Sequence, residues 1–211
     1  MTAAPPQGLL FALEGIDGAG KSTLQRELLR RLRRRGLSVA AWHEPVRAAI
    51  GRAAQSMAPT DPLGAAIEFT VDRWLARPRL ERLLRAREAV VSDRSFFSTL
   101  AYQGIALPSG TRRALARLQL AASVAPDHVF LLELPLDSAM DRLSGRGKAI
   151  EPLERRATLR RVATAYRGFA RRNRWTVLDA RAPSRILADR AETEIVRRLR
   201  SRAHRAGRGR E

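Results

Sequence analysis

The stretch Gly15-Ile16-Asp17-Gly18-Ala19-Gly20-Lys21-Ser22 constrains this chain more than any other part of it. It fills the spacing G-x-x-x-x-G-K-[ST], a loop whose backbone N–H groups wrap a row of phosphates. The glycines let the backbone close on phosphate oxygens with no Cβ in the way. Lys21 brings a mobile point charge to β- and γ-phosphates, and the Ser22 hydroxyl is a hard oxygen ligand for Mg²⁺. The flanks agree with the loop. Residues 8–13 read as a short buried strand and 21–35 as a helix whose N-terminus faces the anion. A glycine-rich turn that matched by chance would carry neither flank.

Apolar runs and helical stretches alternate along the rest of the chain, the pattern of a parallel sheet covered on both faces. Strands are expected over 9–13, 38–42, 89–92, 129–134 and 176–178. Helices are expected after the phosphate loop and over 46–57, 62–87, 96–103, 111–122, 136–143, 152–172 and 183–202. Pro78 should kink or end the long third helix. The 211 residues show no repeat and no dividing linker, so an α/β fold in one domain is expected. Ser144-Gly145-Arg146-Gly147-Lys148 reads as a flap over a phosphate chain rather than a packed turn, with a short lid over about 142–155.

Composition removes several function classes. No apolar run approaches the roughly 18 residues that a membrane-spanning helix needs, and residues 1–7 lack the charged start of a signal peptide. The absence of cysteine excludes disulfides and thiolate metal sites and fits a cytoplasmic protein. The three histidines have no zinc-like spacing, and His128, before a buried strand, reads as packing. A formal charge of +19 invites a nucleic-acid partner. Against it, every one of the 40 basic residues except Lys21 and Lys148 is arginine, spread over nearly all the helices, and the aromatic residues that stack on bases make up 5%. The densest cationic run, from Arg197 to Arg210, reads as a solvated, frayed tail, prone to disorder over about 200–211, rather than as a surface for RNA or acidic lipid.

A second segment carries chemistry. The strand Val90-Val91-Ser92 ends in Asp93-Arg94, so both polar groups emerge at the carboxyl edge of the sheet, where open α/β folds place ligands. Asp93 would complete a Mg²⁺ shell or orient its neighbours, and Arg94 offers a planar fork for a second phosphate. Without the phosphate loop this pair would read as an ordinary strand-end ion pair.

The loop in the form Glu14-Gly-Ile-Asp-Gly-Ala-Gly-Lys-Ser-Thr23, followed by Asp93-Arg94-x-x-x-Ser98-Thr99-x-Ala101-Tyr102-Gln103, resembles the thymidylate kinases. The likeness extends to the lid-like Arg142 to Gly147 and to the late strand end Val177-Leu178-Asp179-Ala180. It implies a P-loop kinase with a five-stranded parallel sheet, helices on both faces and a short lid, acting on ATP, Mg²⁺ and dTMP. Residues Gly15 to Thr23, with Ile16, Asp17, Gly18 and Ala19 among them, would bind ATP together with Arg142 and Ala180. Lys21, Asp17, Arg94, Arg142 and Arg146 would form the catalytic set, and Ser22 and Asp93 would face the metal. Phe69 and Arg73, four residues apart on the long helix, would stack on and hydrogen-bond thymine, with Thr99 beside them. Tyr102 would sit against the deoxyribose. The likeness also implies a homodimer. Because Gly18 is not a cation, the lid must supply the charge on the transferring group, with Lys148 assisting Arg146.

Three departures bear on the acceptor. His43-Glu44-Pro45-Val46-Arg47 replaces the family's Arg-Glu-Pro-Gly-Gly, Ser95 stands where a ring is common, and Leu100 stands where a polar group often helps read the base. Glu-Pro-Val and Asp-Arg-Ser also resemble deoxynucleoside kinases, in which Glu44 would be the general base on a 5′-hydroxyl. A monophosphate needs extra cations and no base, whereas a nucleoside needs the base and fewer cations. A third reading makes the chain a nucleotide-dependent nucleic-acid binder working through its basic tail.

Overall fold

β1 (Leu9–Glu14) is buried at every position and almost wholly apolar, as required of a strand flanked on both edges and covered on both faces. It pairs in parallel with β3 (Ala89–Asp93) on one side and β4 (His128–Glu133) on the other. β2 (Val39–His43) continues the sheet beyond β3, and β5 (Thr176–Asp179) beyond β4, giving the order β2-β3-β1-β4-β5. The computed structural model describes residues 8–147 and 149–208, so Lys148 and Arg210 of the sequence reading lie outside the described residues. Each expected strand is present with ends within one residue of the expected ones.

Parallel strands deliver all their carboxyl ends to one edge. Register sets Leu13 and His43 beside Asp93, so the turns after β1, β2 and β3 start at one level. The strand order reverses at β1, and the crevice beyond a switch point of this kind is where a ligand fits. Helices cover both faces. On α1 (Lys21–Arg34), Leu24, Leu28 and Leu32 recur at helical spacing and are at most 1% exposed, each contributing about 2 kcal/mol through burial. They join Phe11, Phe130, Leu178 and Ile195 of α8 (Ser184–Arg208) in the main core. Leu10, Val90 and Trp42 face the opposite way, onto Ala76, Leu80 and Leu84 of α3 (Pro62–Ala86).

α3 departs from a simple amphipathic pattern. Its buried residues include Asp72 and Arg73, while Ile67, Val71 and Trp74 are exposed. Asp61 caps it by accepting from the Gly64 N–H at 2.8 Å, and Pro62 takes the first turn, where no N–H is needed. The helix does not end at Pro78 but runs on to Ala86. Pro78 lies on the exposed face near Trp74, where water can satisfy the carbonyl that proline leaves without a donor.

Other boundaries shift for local reasons. α2 (Ala48–Met57) starts later than expected because the Val46 and Arg47 N–H groups are taken by the Asp72 carboxylate, at 2.6 and 3.0 Å. Pro45, after a cis Glu44–Pro45 bond, rests where Gly51 leaves room: a Cβ there would stand 2.4 Å from the proline Cγ. α4 (Phe96–Tyr102) is capped by the Ser95 hydroxyl, and α5 (Ser109–Ala122) packs on α3. After α6 (Leu136–Ser144) a single 3₁₀ turn, Pro152–Glu154, precedes α7 (Arg156–Asn173), so the helix expected from 152 begins later. α8 continues through Arg208, into the segment read as a frayed tail. No described helix is long and apolar enough to cross a membrane.

Candidate active site

The phosphate loop joins β1 to α1 at the switch point. Gly15 has φ +146°, and a Cβ on it would stand 2.6 Å from the Leu132 carbonyl, so only glycine fits that turn. α1 has Gly20 as its cap, no capping side chain and no acid in its first turn, which leaves its first N–H groups available to an anion. Lys21 is buried and donates to the Gly15 and Ile16 carbonyls, both at 3.0 Å, while the Asp17 carboxylate is 3.9 Å away. Burial, with Arg94 nearby, lowers the Lys21 ammonium to about 8 against the opposing pull of Asp17, Asp93 and Glu14. Ala19 is buried, and Ser22 and Thr23 are exposed on the first turn. The Ser22 hydroxyl donates to an Asp93 carboxylate oxygen, which sets two hard oxygen donors side by side at the mouth of the loop.

Arg94 follows at φ +74°, a left-handed conformation that a side chain adopts at a cost of about 1 kcal/mol or more. The backbone is held there from both ends: the Arg94 N–H donates to the Leu13 carbonyl at 3.0 Å, and its own carbonyl accepts from the Ser92 hydroxyl at 2.5 Å. The guanidinium donates to Asp17 and, at 3.2 Å, to Ser98, and lies over the Tyr102 ring at 5.4 Å. Burial raises the Asp17 carboxyl, but Arg94, Lys21 and the Tyr102 hydroxyl outweigh it and hold the group below the usual carboxylate range. Beneath them Glu14, fully buried, accepts from the Ser95 N–H and from the hydroxyls of Ser95, Ser98 and Tyr166, all at 2.7–2.8 Å.

A cavity of about 290 Å³ opens from Asp17 and Arg94 toward α3. Phe69, Arg73, Thr99, Tyr102 and Glu44 line it, so the residues assigned to the acceptor from sequence converge on one space. Arg73 donates to Glu44, to the Phe69 carbonyl at 3.3 Å, to Gln119 at 3.0 Å and to the Ser95 carbonyl at 3.4 Å. Burial raises the Glu44 carboxyl above its ordinary value, against the lowering effect of Arg73. Leu100 packs into a cluster with Phe96, Leu115 and Ala66, which leaves Thr99 as the polar group of that turn at the cavity.

Two arginines come from α6 and the lid. Arg142 donates to the Gly18 carbonyl at 3.3 Å and the Ala180 carbonyl at 3.0 Å, bridging the phosphate loop to the end of β5 on the side away from the cavity. Arg146 lines the cavity and donates to Glu154 at 2.6 Å. Arg47 does not reach the cavity; its guanidinium bonds the Asp72 and Leu75 carbonyls, and His43 is exposed at the end of β2. Gln55 of α2, Gln103, Glu151, Leu153 and Glu154 also line the cavity and carried no role in the sequence reading. Glu151 and Glu154 were detectable: Glu-x-x-Glu around Pro152 is a capping-box spacing, and both reciprocal bonds form. Gln103 closes the motif that starts at Asp93, while Gln55 offered no local signal.

The geometry thus combines a phosphate cradle, a pair of oxygen ligands and a separate cation-lined cavity. The thymidylate kinase family model matches residues 13–191. The thymidylate kinase of Bordetella pertussis is 31% identical over 199 residues, covering 90% of this chain and 95% of that protein. The thymidylate kinase of Xanthomonas oryzae pv. oryzae is 35% identical over 205 residues, covering 93% and 87%.

Proposed function

The chain belongs to the thymidylate kinase family, and from that premise we infer that it transfers the γ-phosphoryl group of ATP to dTMP, yielding dTDP and ADP. The observation that supports the acceptor reading most is Arg94. Two of its five N–H groups are bonded to protein among the described residues, which leaves a fork of donors where the cavity meets the phosphate loop. That fork suits a monophosphate. Asp17, ionised between Arg94 and Lys21, keeps the fork in place. Phe69 offers a ring face for the base, Arg73 and Thr99 polar groups for its edge, and Tyr102 packs beside the sugar.

The nucleoside-kinase alternative needs Glu44 as a free base, but this carboxylate is tied to the Arg73 guanidinium at the base end of the cavity. A phosphate oxygen that is already an anion requires no base at all.

Lys21 and the loop N–H groups would hold the donor phosphates, with Arg142 and Ala180 framing the nucleotide on the far side. The Ser22 and Asp93 oxygens fit a Mg²⁺ ion that keeps most of its shell as water and phosphate, since among the described residues no denser group of carboxylates or histidines exists. When bound, the ion neutralises charge on the phosphate chain. Arg146 would bring the charge that Gly18 lacks, and lid closure would exclude water. A homodimer fits the exposed apolar face of α3, on which Leu63, Ile67, Val71 and Trp74 lie within one arc.

An ADP-release assay with thymidine and dTMP offered separately tests the reading. Turnover is expected with dTMP alone, and Arg94→Ala is expected to lower kcat/KM for dTMP by at least about 100-fold while ATP still binds. Turnover with thymidine, or an unimpaired Arg94→Ala enzyme, would overturn it.

A further inference from the structure

Arg73 reaches the cavity from a helix that buries Thr70, Asp72 and Arg73 among apolar residues, and its five N–H groups can be accounted for one by one. Nε donates to Glu44, the two Nη1 protons to the Phe69 carbonyl and Gln119 Oε1, and one Nη2 proton to the Ser95 carbonyl. Among the described residues a single N–H, on Nη2, is left without a protein acceptor, in a side chain that lines the cavity. A guanidinium has no acceptor to offer. The free N–H therefore rewards an oxygen on the ligand and penalises an amino group at the same place.

One of the four contacts that hold the guanidinium comes from outside the cavity. Gln119 of α5 is fully buried and does not line the cavity. Its amide bridges Arg73 Nη1, at 3.0 Å, and Thr70 Oγ1, at 2.6 Å. Which end of the amide faces which partner follows from proton counting. Arg73 has only donors, so it requires the amide oxygen, and Thr70, whose hydroxyl proton goes to the Ala66 carbonyl at 2.7 Å, accepts from the amide nitrogen. The amide nitrogen must then face Thr70, and the amide oxygen must face Arg73.

We infer that Gln119 is a positioning residue for acceptor selection: oriented by Thr70, it acts through Arg73 to hold one N–H toward the base and makes the site prefer a 4-oxo pyrimidine monophosphate over a 4-amino one. The inference rests on the dTMP reading above. It assigns the selectivity to a relay that starts two side chains away from the ligand.

The test compares kcat/KM for dTMP and dCMP in the wild type, Gln119→Met and Gln119→Glu. Methionine matches the volume and removes the acceptor, so Arg73 is expected to loosen. The dTMP/dCMP ratio should fall about tenfold, mainly through KM for dTMP, with KM for ATP unchanged. Glutamate restores an oxygen toward Arg73, and the Thr70 hydroxyl can reverse to donate to it, so most of the ratio should return. Simple destabilisation lowers both substrates' rates together and leaves the ratio untouched. If Gln119→Met does not fold, Thr70→Val, which frees the amide to flip, is expected to lower the ratio in the same direction by a smaller factor. An unchanged ratio in whichever of these variants folds would overturn the inference. Failure of the wild type to use dTMP would instead refute the functional reading on which it rests.

Discussion

Lys21 shows how burial tunes a single residue. Desolvation, with Arg94 close by, brings its ammonium from 10.5 to about 8, and the carboxylates of Asp17, Asp93 and Glu14 keep it from falling further. Only the charged form attracts phosphate, and a bound phosphate stabilises that form. ATP binding is therefore expected to take up a proton above about pH 8 and to weaken by up to about tenfold per pH unit beyond it. Calorimetry in buffers of different ionisation enthalpy measures the uptake, and Lys21→Met should abolish it. An ATP affinity that stayed constant to about pH 10 would contradict the assignment. The stability effect has the opposite sign to that of a salt-bridged lysine. Between about 8 and 10.5 the unfolded chain holds more protons than the folded one, so the Lys21 contribution to stability rises with pH across that window.

At the scale of elements, α3 organises the acceptor side. One turn of it carries Asp72, which receives the Val46 and Arg47 N–H groups, and Arg73, which pairs with Glu44. The loop after β2 is thus fastened to α3 at two adjacent residues. This explains why an arginine one turn beyond His43 does not stand in for the one missing there: Arg47 is spent on fixing the loop. Asp72→Ala would leave two backbone donors unpaired and should destabilise the fold by about 2–3 kcal/mol, read from the urea midpoint at constant m-value. It should also raise KM for the acceptor, because Glu44 and Pro45 of the freed loop line the cavity. A midpoint shift with no change in that KM would show that the loop is held by other contacts.

At the scale of the whole molecule, the outer face of α3 is the clearest sign of a partner. Trp74 is 62% exposed, and Ile67 and Val71 continue its stripe, while the rest of the surface is rich in arginine. Replacing Ile67 and Val71 with glutamate should convert a dimer to a monomer in sedimentation velocity while leaving the fold intact. A dimer that survived the double change would move the interface elsewhere.

The sequence by itself determined whatever depends on near neighbours along the chain. Strand and helix order followed from apolar periodicity, the cradle from glycine spacing, and the emergence of Asp93 and Arg94 at the sheet edge from their place at a strand end. Phe69, Arg73, Thr99 and Tyr102 could be named because the resemblance to the thymidylate kinases implied a role for residues at those positions. Tertiary structure decided the rest. Gln119 meets Thr70 and Arg73 across more than forty residues, Tyr166 meets Glu14 across 152, and Arg47 turns away from the cavity because Asp72 lies within reach. Periodicity records which face of an element is buried. It does not record which polar group from a distant element will supply a buried donor or acceptor, because that depends on how helices pack against the sheet. In this protein the packing of α3 and α5 settles how the Arg73 end of the cavity is built.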